Sequence, residues 1–406
     1  METTGYAAIK TVVVLPFSHL SNNPDTAWLS ECFPELLQER LKSQGLNVLG
    51  RRERMVAYDR IGIPYTAYLS KATLIKIGQE LDASYLVIGE VLEEGANLKV
   101  TSSVLDLERI WESQLMTRGG DTAHLQELCN GLAWEILRQI SPEFSASYLN
   151  YSRGFPLLPP QAIEYYIRGL MESELHRQIY FFREADQAFP NYQDAIFELG
   201  RLYFRENDYA TSVLWLERLE NLDPERGEAG FLFGLDYLYL KNYEKASRVF
   251  SLLSERIPVN EVFCNLGIAL SGAGKVEEAT AAFRKALAGD PGQVDCLFNL
   301  AFHYWRNGNI GGALRNLAEV LKRDRMDADA YYLQFKCFQL ISRSTEAENA
   351  WAKAKELNPR VESWETRQKV PDLFRIQTRF NEAGYRQLQL ELQQVMERKG
   401  QNSRTP

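Results

Sequence analysis

The sequence predicts an α/β domain followed by an all-α array of repeated helix pairs. Two observations lead to this fold class. Apolar runs typical of β-strands fall within residues 1–140, and prolines recur at a nearly constant spacing farther along the chain. Pro190, Pro224, Pro258 and Pro291 are separated by 34, 34 and 33 residues. We therefore predict four regions: an α/β domain at 1–140, a linker at 141–160, a repeat array at 161–360, and capping helices with a frayed tail at 361–406.

The repeats keep small and large residues in register with their prolines. Glycine or alanine sits where two helices would cross closely, and a bulky residue follows sixteen positions later. These features resemble the tetratricopeptide repeat, and about six repeats are predicted. The small positions are Gly200, Gly234, Gly267 and Ala301, and their bulky counterparts are Leu216, Phe250, Phe283 and Leu317.

The resemblance implies a superhelical solenoid whose concave groove is lined by the first helix of each pair. By this resemblance, repeat positions two, five, nine and twelve would face that groove, and here positions five, nine and twelve are mostly apolar or aromatic. The lysine and asparagine clamp of chaperone-binding relatives is absent, because no lysines accompany Asn265 and Asn299. The candidate groove residues are Phe197, Arg201, Phe204, Phe231, Leu235, Leu238, Phe298, Phe302, Trp305 and Tyr332.

The second position of the last five repeats is acidic. One interpretation is a helix N-terminal charge that complements the helix dipole. The other is an acidic rim that selects a basic segment next to an apolar motif. The five residues are Asp194, Glu228, Glu261, Asp295 and Asp329.

The apolar groove needs an occupant, and two are open. One is an apolar peptide or an amphipathic helix of a partner. The other is the chain's own tail, which carries Leu373, Phe374, Ile376 and Phe380. Beyond these, Asn381 is predicted to cap a helix that ends near residue 400, whose default role is to cover the last repeat.

The first region predicts about five strands in a mixed sheet with helices. Residues 11–15 and 46–49 are predicted strands, and residues 84–93, 97–107 and 110–118 a predicted antiparallel meander. The predicted helices cover residues 26–43, 51–60, 71–81 and 121–140.

Several segments here resemble the TolB N-terminal-like domain, which is often found upstream of tetratricopeptide repeats in bacterial proteins. That resemblance implies a module without catalytic activity. The segments that carry it are residues 14–17 (VLPF), 20–22 (LSN), 77–82 (IGQELD), 85–90 (YLVIGE) and 104–108 (VLDLE).

Composition excludes several classes of function. A net charge of −8 and a pI near 5.4 disfavour nucleic acid and anionic lipid. Four histidines and five scattered cysteines give no metal-ligand spacing, so no metal or cofactor is predicted. The run at 272–275 (GAGK) lacks phosphate-loop spacing. No apolar segment is long enough to span a membrane. We expect a cytoplasmic protein, or a periplasmic one if a signal peptide has been removed.

The sequence therefore predicts a non-catalytic adaptor that binds a protein or peptide through the groove. The alternative is a sensory or regulatory subunit of a bacterial signalling or envelope pathway, in which the C-terminal helix gates the groove. An enzyme would have to use Ser18, His19 and Asn22, which lack the spacing of a nucleophile and its base. The partner and the oligomeric state stay open.

Overall fold

The computed structural model describes residues 10–21, 23–64, 69–219, 227–367 and 370–381, together with Tyr385 and Gln389. The chain divides into two compact units, Met1–Glu198 and Leu199–Pro406.

The first unit contains a mixed sheet with helices. The long strands β4 and β5 form an antiparallel hairpin, with Tyr85 opposite Asp106 and Glu94 opposite Asn97. β1 lies parallel to both β3 and β4, and β6 and β7 both pair with β5. The strands are β1 (Thr11–Val14), β2 (Ser18–His19), β3 (Asn47–Leu49), β4 (Tyr85–Glu94), β5 (Asn97–Asp106), β6 (Trp111–Glu112) and β7 (Met116–Asp121).

Five of these strands have three or more residues, which agrees with the predicted number. The prediction differs in two places: the short strand β2 was not predicted, and the predicted last strand forms two separate strands on β5 instead of one. Helices lie close to their predicted bounds. They are α1 (Leu29–Lys42), α2 (Arg51–Ile61), α3 (Lys71–Glu80) and α4 (Leu125–Ile140).

Alternating side chains of β1 explain the two cores of this unit. Val12 and Val14 join one cluster with residues of α1 and α4. Val13 joins the opposite cluster, with residues of α2 and α3. Successive strand residues point to opposite faces, so an apolar strand such as β1 must be covered by helices on both.

The predicted linker is packed onto this unit. The Gln126 side chain of α4 donates to the main-chain oxygen of Pro156 at 3.1 Å and accepts from the amide of Leu158 at 2.7 Å. The Tyr151 hydroxyl donates to the main-chain oxygen of Arg40 at 3.2 Å. These bonds tie the segment to α1 and α4. The helices that follow in this part of the chain are α5 (Tyr148–Ser152), α6 (Pro160–Met171) and α7 (Leu175–Ala188).

Helix pairs make up the second unit. Each helix packs against the next in chain order, and the 34-residue proline spacing corresponds to one pair. α8 (Gln193–Arg205) starts before the boundary between the units and ends after it. The remaining helices are α9 (Tyr209–Leu216), α10 (Gly227–Tyr239), α11 (Tyr243–Arg256), α12 (Asn260–Gly272), α13 (Val276–Gly289), α14 (Val294–Arg306), α15 (Ile310–Arg323), α16 (Ala328–Leu340), α17 (Ser344–Leu357) and α18 (Val361–Thr366).

The repeated glycines allow the two helices of a pair to approach closely. A Cβ atom at Gly234 would lie 2.6 Å from the Phe250 ring, and one at Gly267 would lie 2.6 Å from Phe283. Both distances are too short for a side chain, so the bulky residue of the second helix occupies the space above the glycine. This is the close crossing that the sequence pattern predicts.

The tail after α18 is extended. Residues 370–381 form neither helix nor strand. The helix predicted to start at Asn381 and end near residue 400 lies largely outside the described residues, as do Pro224, Asn22 and residues 401–406.

Candidate functional site

The extended segment 370–381, called the tail segment below, lies along the first helices of successive pairs. Its Phe374 contacts Phe302 of α14, and its Phe380 contacts Phe231 of α10. The tail segment therefore runs opposite to the order of the repeats. We call the surface it contacts on α10, α12, α14 and α16 the tail-binding face.

Two buried asparagines hold the main chain of the tail segment. The Asn299 amide donates to the main-chain oxygen of Arg375 at 2.9 Å and accepts from its amide at 2.7 Å. Asn265 does the same for Gln377, at 2.8 and 2.9 Å. A primary amide side chain has one donor end and one acceptor end, so it matches the N–H and C=O of a single extended residue. Main-chain groups of alternate residues point to the same side, which is why residues 375 and 377 are the pair that is held.

The absence of accompanying lysines excludes a charged clamp at these asparagines, but it does not exclude main-chain binding. A charged clamp needs lysines to neutralise a carboxylate, whereas an internal stretch of main chain needs only an amide. Both residues are fully buried at the sixth position of successive repeats. A polar residue repeated at one buried position was the signal that could have identified them.

Arg375 of the tail segment occupies an acidic pocket. Its Nη2 donates to Oδ1 of Asp327 at 2.7 Å, and its Nη1 lies 3.4 Å from Asp295. Asp329 is 3.9 Å away. The guanidinium carbon lies 3.7 Å from the centre of the Phe298 ring, so the cation also rests on an aromatic face.

The electrostatics of this pocket follow from burial and mutual charge. Burial lowers the pKa of Arg375, but its hydrogen bond to Asp327 and the charges of the three carboxylates outweigh burial and raise that pKa above its ordinary value. Burial raises the pKa of Asp329, and the charge of Arg375 opposes this rise. The guanidinium is thus firmly charged at neutral pH.

Aromatic contacts fix the tail segment on either side of the asparagines. Phe374 meets Phe302 edge-to-face with centroids 4.9 Å apart. Arg306 lies 5.6 Å from the Phe374 ring. Phe380 stacks on Phe231 at 5.1 Å. The asparagines therefore bind the main chain of the tail segment, and these aromatic contacts bind individual side chains.

The ten candidate groove residues take several positions. Phe231, Phe298 and Phe302 touch the tail segment. Trp305 is half-buried and stacks on Phe302 at 5.7 Å. Tyr332 is covered by α18, where its hydroxyl donates to Glu365 at 2.8 Å.

The remaining candidates lie toward the beginning of the array. Leu235 and Leu238 are buried in α10, with 0% and 3% exposure. Phe204 packs against Tyr209 and Tyr239. Phe197 and Arg201 are half-buried in α8.

Both interpretations of the second-position acids find support. All five residues lie in the first turn of their helices, where they complement the dipole. Two of them, Asp295 and Asp329, also face Arg375. Those two therefore have a second role in binding a basic side chain.

The other candidate sites show ordinary structural roles. Ser18 and His19 lie in β2, and the ring of His19 is hydrogen-bonded to Thr26 at 3.2 Å. Gly274, in the glycine-lysine run, adopts a positive φ at the turn between α12 and α13. Within the described ranges, no group of three His, Cys, Asp or Glu side chains is placed to hold a metal. None of the described helices is long and apolar enough to cross a membrane.

Known structures with helical repeats resemble part of this chain. YrrB, described as a tetratricopeptide-repeat protein with an unusual peptide-binding site, is 22% identical, with a TM-score of 0.39, over 42% of this chain and 90% of its own. MamA of Desulfovibrio magneticus RS-1 is 20% identical, with a TM-score of 0.39, over 42% of this chain and 99% of its own. PilF of Pseudomonas aeruginosa is 18% identical, with a TM-score of 0.40, over 51% of this chain and 96% of its own.

Sequence comparison gives a curated relative and a family. Photosystem I assembly protein Ycf3 of Synechococcus sp. (strain CC9311) is 30% identical over 129 residues, which are 31% of this chain. The match spans 61% of the length of that relative. Residues 270–337, from the end of α12 into α16, match the tetratricopeptide-repeat family model. The helical region that carries the tail-binding face is therefore of the tetratricopeptide-repeat type.

Proposed function

We propose that this protein is a non-catalytic adaptor whose tail-binding face is the concave groove of a superhelical repeat array and binds an extended segment of a partner protein. The observation that carries the proposal is the paired hydrogen bonding of Asn265 and Asn299 to the tail main chain. Such bonds read no side chain, so the same two amides suit any extended peptide. The name of the Synechococcus relative, an assembly protein, agrees with a role in binding.

An extended occupant is favoured over an amphipathic helix. In a helix the main-chain N–H and C=O groups are already bonded to each other. The buried Asn265 and Asn299 amides would then lose the main-chain partners that the tail gives them, which costs about 1–3 kcal/mol for each unsatisfied group. The occupant of this face therefore presents a free backbone.

The second candidate function is regulatory, because the tail segment already fills the face. A partner would have to displace residues 370–381, so anything that loosens the tail would raise binding. In this proposal the first unit, which resembles the TolB N-terminal-like domain, docks on a second component of the same pathway.

A peptide with the sequence of residues 371–381 tests the groove. We define an open-tail variant of the full chain as Phe374→Ala with Arg375→Gln, which removes two of the side-chain anchors of the tail. Fluorescence anisotropy should show the labelled peptide binding to this variant at least about tenfold more tightly than to the wild type, where the tail competes.

Adding Asn265→Ala and Asn299→Ala to the open-tail variant should abolish peptide binding. Asn349→Ala is the matched control, because Asn349 is an exposed asparagine on α17. Equal peptide binding with and without the two buried asparagines would refute the proposal that this face binds an extended segment.

A further inference from the structure

The acidic pocket around Arg375 is more than a surface ion pair. Asp327 is 7% exposed, and its Oδ1 accepts from both Arg375 and the amide of Ala330. Asp295 and Asp329 approach the same guanidinium from the first turns of α14 and α16. Carboxylates from two helices thus converge on one cation.

The shape of the pocket favours arginine over lysine. The guanidinium carbon lies over the Phe298 ring, 3.7 Å from its centre, while two of the guanidinium nitrogens bond different carboxylates. A planar group with several donors can do both at once, whereas the compact ammonium of lysine cannot.

The tail arginine leaves part of this pocket unused. Oδ2 of Asp327 is buried and has no hydrogen-bond partner within the described part of the chain. The same holds for Oε1 of Gln293, whose amide nitrogen bonds the side chain of Gln377 at 3.3 Å. Buried polar atoms of this kind are normally satisfied, so a better-fitting ligand would gain hydrogen bonds that the tail does not make.

We infer that the partner segment carries an arginine, an inference that rests on the proposed groove. The residues that select this arginine are Asp295, Asp327, Asp329 and Phe298. The tail segment is an imperfect internal copy of that segment. The partner is a stretch of protein in extended conformation with an aromatic residue directly before the arginine, as Phe374 precedes Arg375. Its arginine can bond both oxygens of Asp327, which gives it an advantage over the tail.

The test uses the open-tail variant and three labelled peptides. The first has the sequence of residues 371–381. The second carries glutamine in place of Arg375, and the third carries glutamine in place of Arg379, an exposed arginine four residues away. We expect the second peptide to bind about tenfold more weakly than the first, and the third to bind like the first.

Asp327→Asn on the protein identifies the selecting group. Asp327 also caps α16 through its bond with the amide of Ala330. Asparagine caps a helix about as well as aspartate, so this substitution removes the charge and keeps the helix end. In the open-tail background it should reduce the difference in affinity between the first and second peptides, and an unchanged difference would contradict the role of Asp327.

The outcomes separate this inference from the proposed groove. If the second peptide binds as tightly as the first, arginine selection is wrong and the groove stands. If no peptide binds to the folded open-tail variant, both are wrong. Should that variant fail to fold, hydrogen exchange on single variants decides. Arg375→Gln should speed exchange of the Gln377 amide about tenfold and Arg379→Gln should not, and equal rates would overturn the inference.

Discussion

Helices α12 and α14 differ from their neighbours α10 and α16 at one repeat position. We call α12 and α14 the inner helices and α10 and α16 the outer helices. The sixth position is asparagine in the inner helices (Asn265 and Asn299) and leucine in the outer helices (Leu232 and Leu333). All four side chains are buried, with at most 7% exposure. The inner helices hold a main chain through amides, while the outer helices present apolar surface.

This difference shows how one scaffold divides two tasks. At the centre, the asparagines bind the backbone of any extended residue. At the ends, ring contacts such as Phe231 with Phe380 depend on which side chain is present. Placing polar groups only where a main chain lies opposite them avoids leaving a buried amide unsatisfied.

Placing an asparagine at the sixth position of an outer helix should have the largest effect on stability. Leu333 belongs to the apolar core cluster around α16. We expect Leu333→Asn to lower the free energy of unfolding by about 4 kcal/mol, because it removes apolar burial and buries an amide without a partner. Urea unfolding followed by circular dichroism measures this.

Leu333→Ala is the control for lost volume alone, and it should cost about 1–2 kcal/mol less than the asparagine variant. If the two variants are equally stable, a buried asparagine costs nothing extra in an outer helix. The proposed difference between the inner and outer helices would then be wrong.

The reverse exchange should release the tail while leaving the array folded. We expect Asn265→Leu with Asn299→Leu to weaken tail docking by about 2–4 kcal/mol, since four hydrogen bonds to the tail main chain are lost. Faster hydrogen exchange at the amides of Arg375 and Gln377, with little change in the unfolding midpoint, would report it. Unchanged exchange at those two amides would contradict the prediction.

The repeats were predictable because their physics is local and periodic. Helix pairs, close glycine crossings such as Gly267 under Phe283, and acidic first turns all follow from spacing in the sequence. The longer strands of the first unit were likewise predictable from apolar runs, whereas the two-residue strand β2 was not predicted and the last predicted strand is divided into β6 and β7.

The candidate site was only partly predictable, because the path of the tail is a long-range property. Asn265 bonds Gln377 across 112 positions in the chain, and no local pattern sets that register. Arg375 was missed for the same reason, although its partners Asp295 and Asp329 had been identified as a possible acidic rim. The apolar residues around it, Phe374 and Phe380, were identified as candidate groove occupants.

A further difference between the helices lies at the tenth repeat position, which is Asp236 in α10 and His303 in α14. Both are fully buried. Burial raises the pKa of Asp236 to about 7, against an opposing hydrogen bond from Ser212. Burial lowers the pKa of His303. Both groups are therefore held toward their neutral forms.

Asp236→Asn should remove a pH dependence from the stability of the array. Because the folded pKa of Asp236 is raised, its stabilising contribution is complete below the unfolded value near 4 and is lost as the pH rises through about 7. The variant should be more stable than the wild type by about 1–3 kcal/mol at pH 8, with a smaller difference at pH 5. Urea titrations at both values test this, and a difference independent of pH would refute it. The His303 contribution is common to both proteins and cancels.

The smallest effect is expected at the apolar end of the tail segment. Phe380 is half-buried and stacks on Phe231 of α10. Phe380→Ala should weaken tail docking by about 1 kcal/mol, because one aromatic contact is lost while both asparagine pairs stay in place. Exchange at the Gln377 amide should therefore rise less than in the double asparagine variant. A rise of equal size would mean that side-chain contact, rather than the main-chain bonds of α12 and α14, holds the tail on this face.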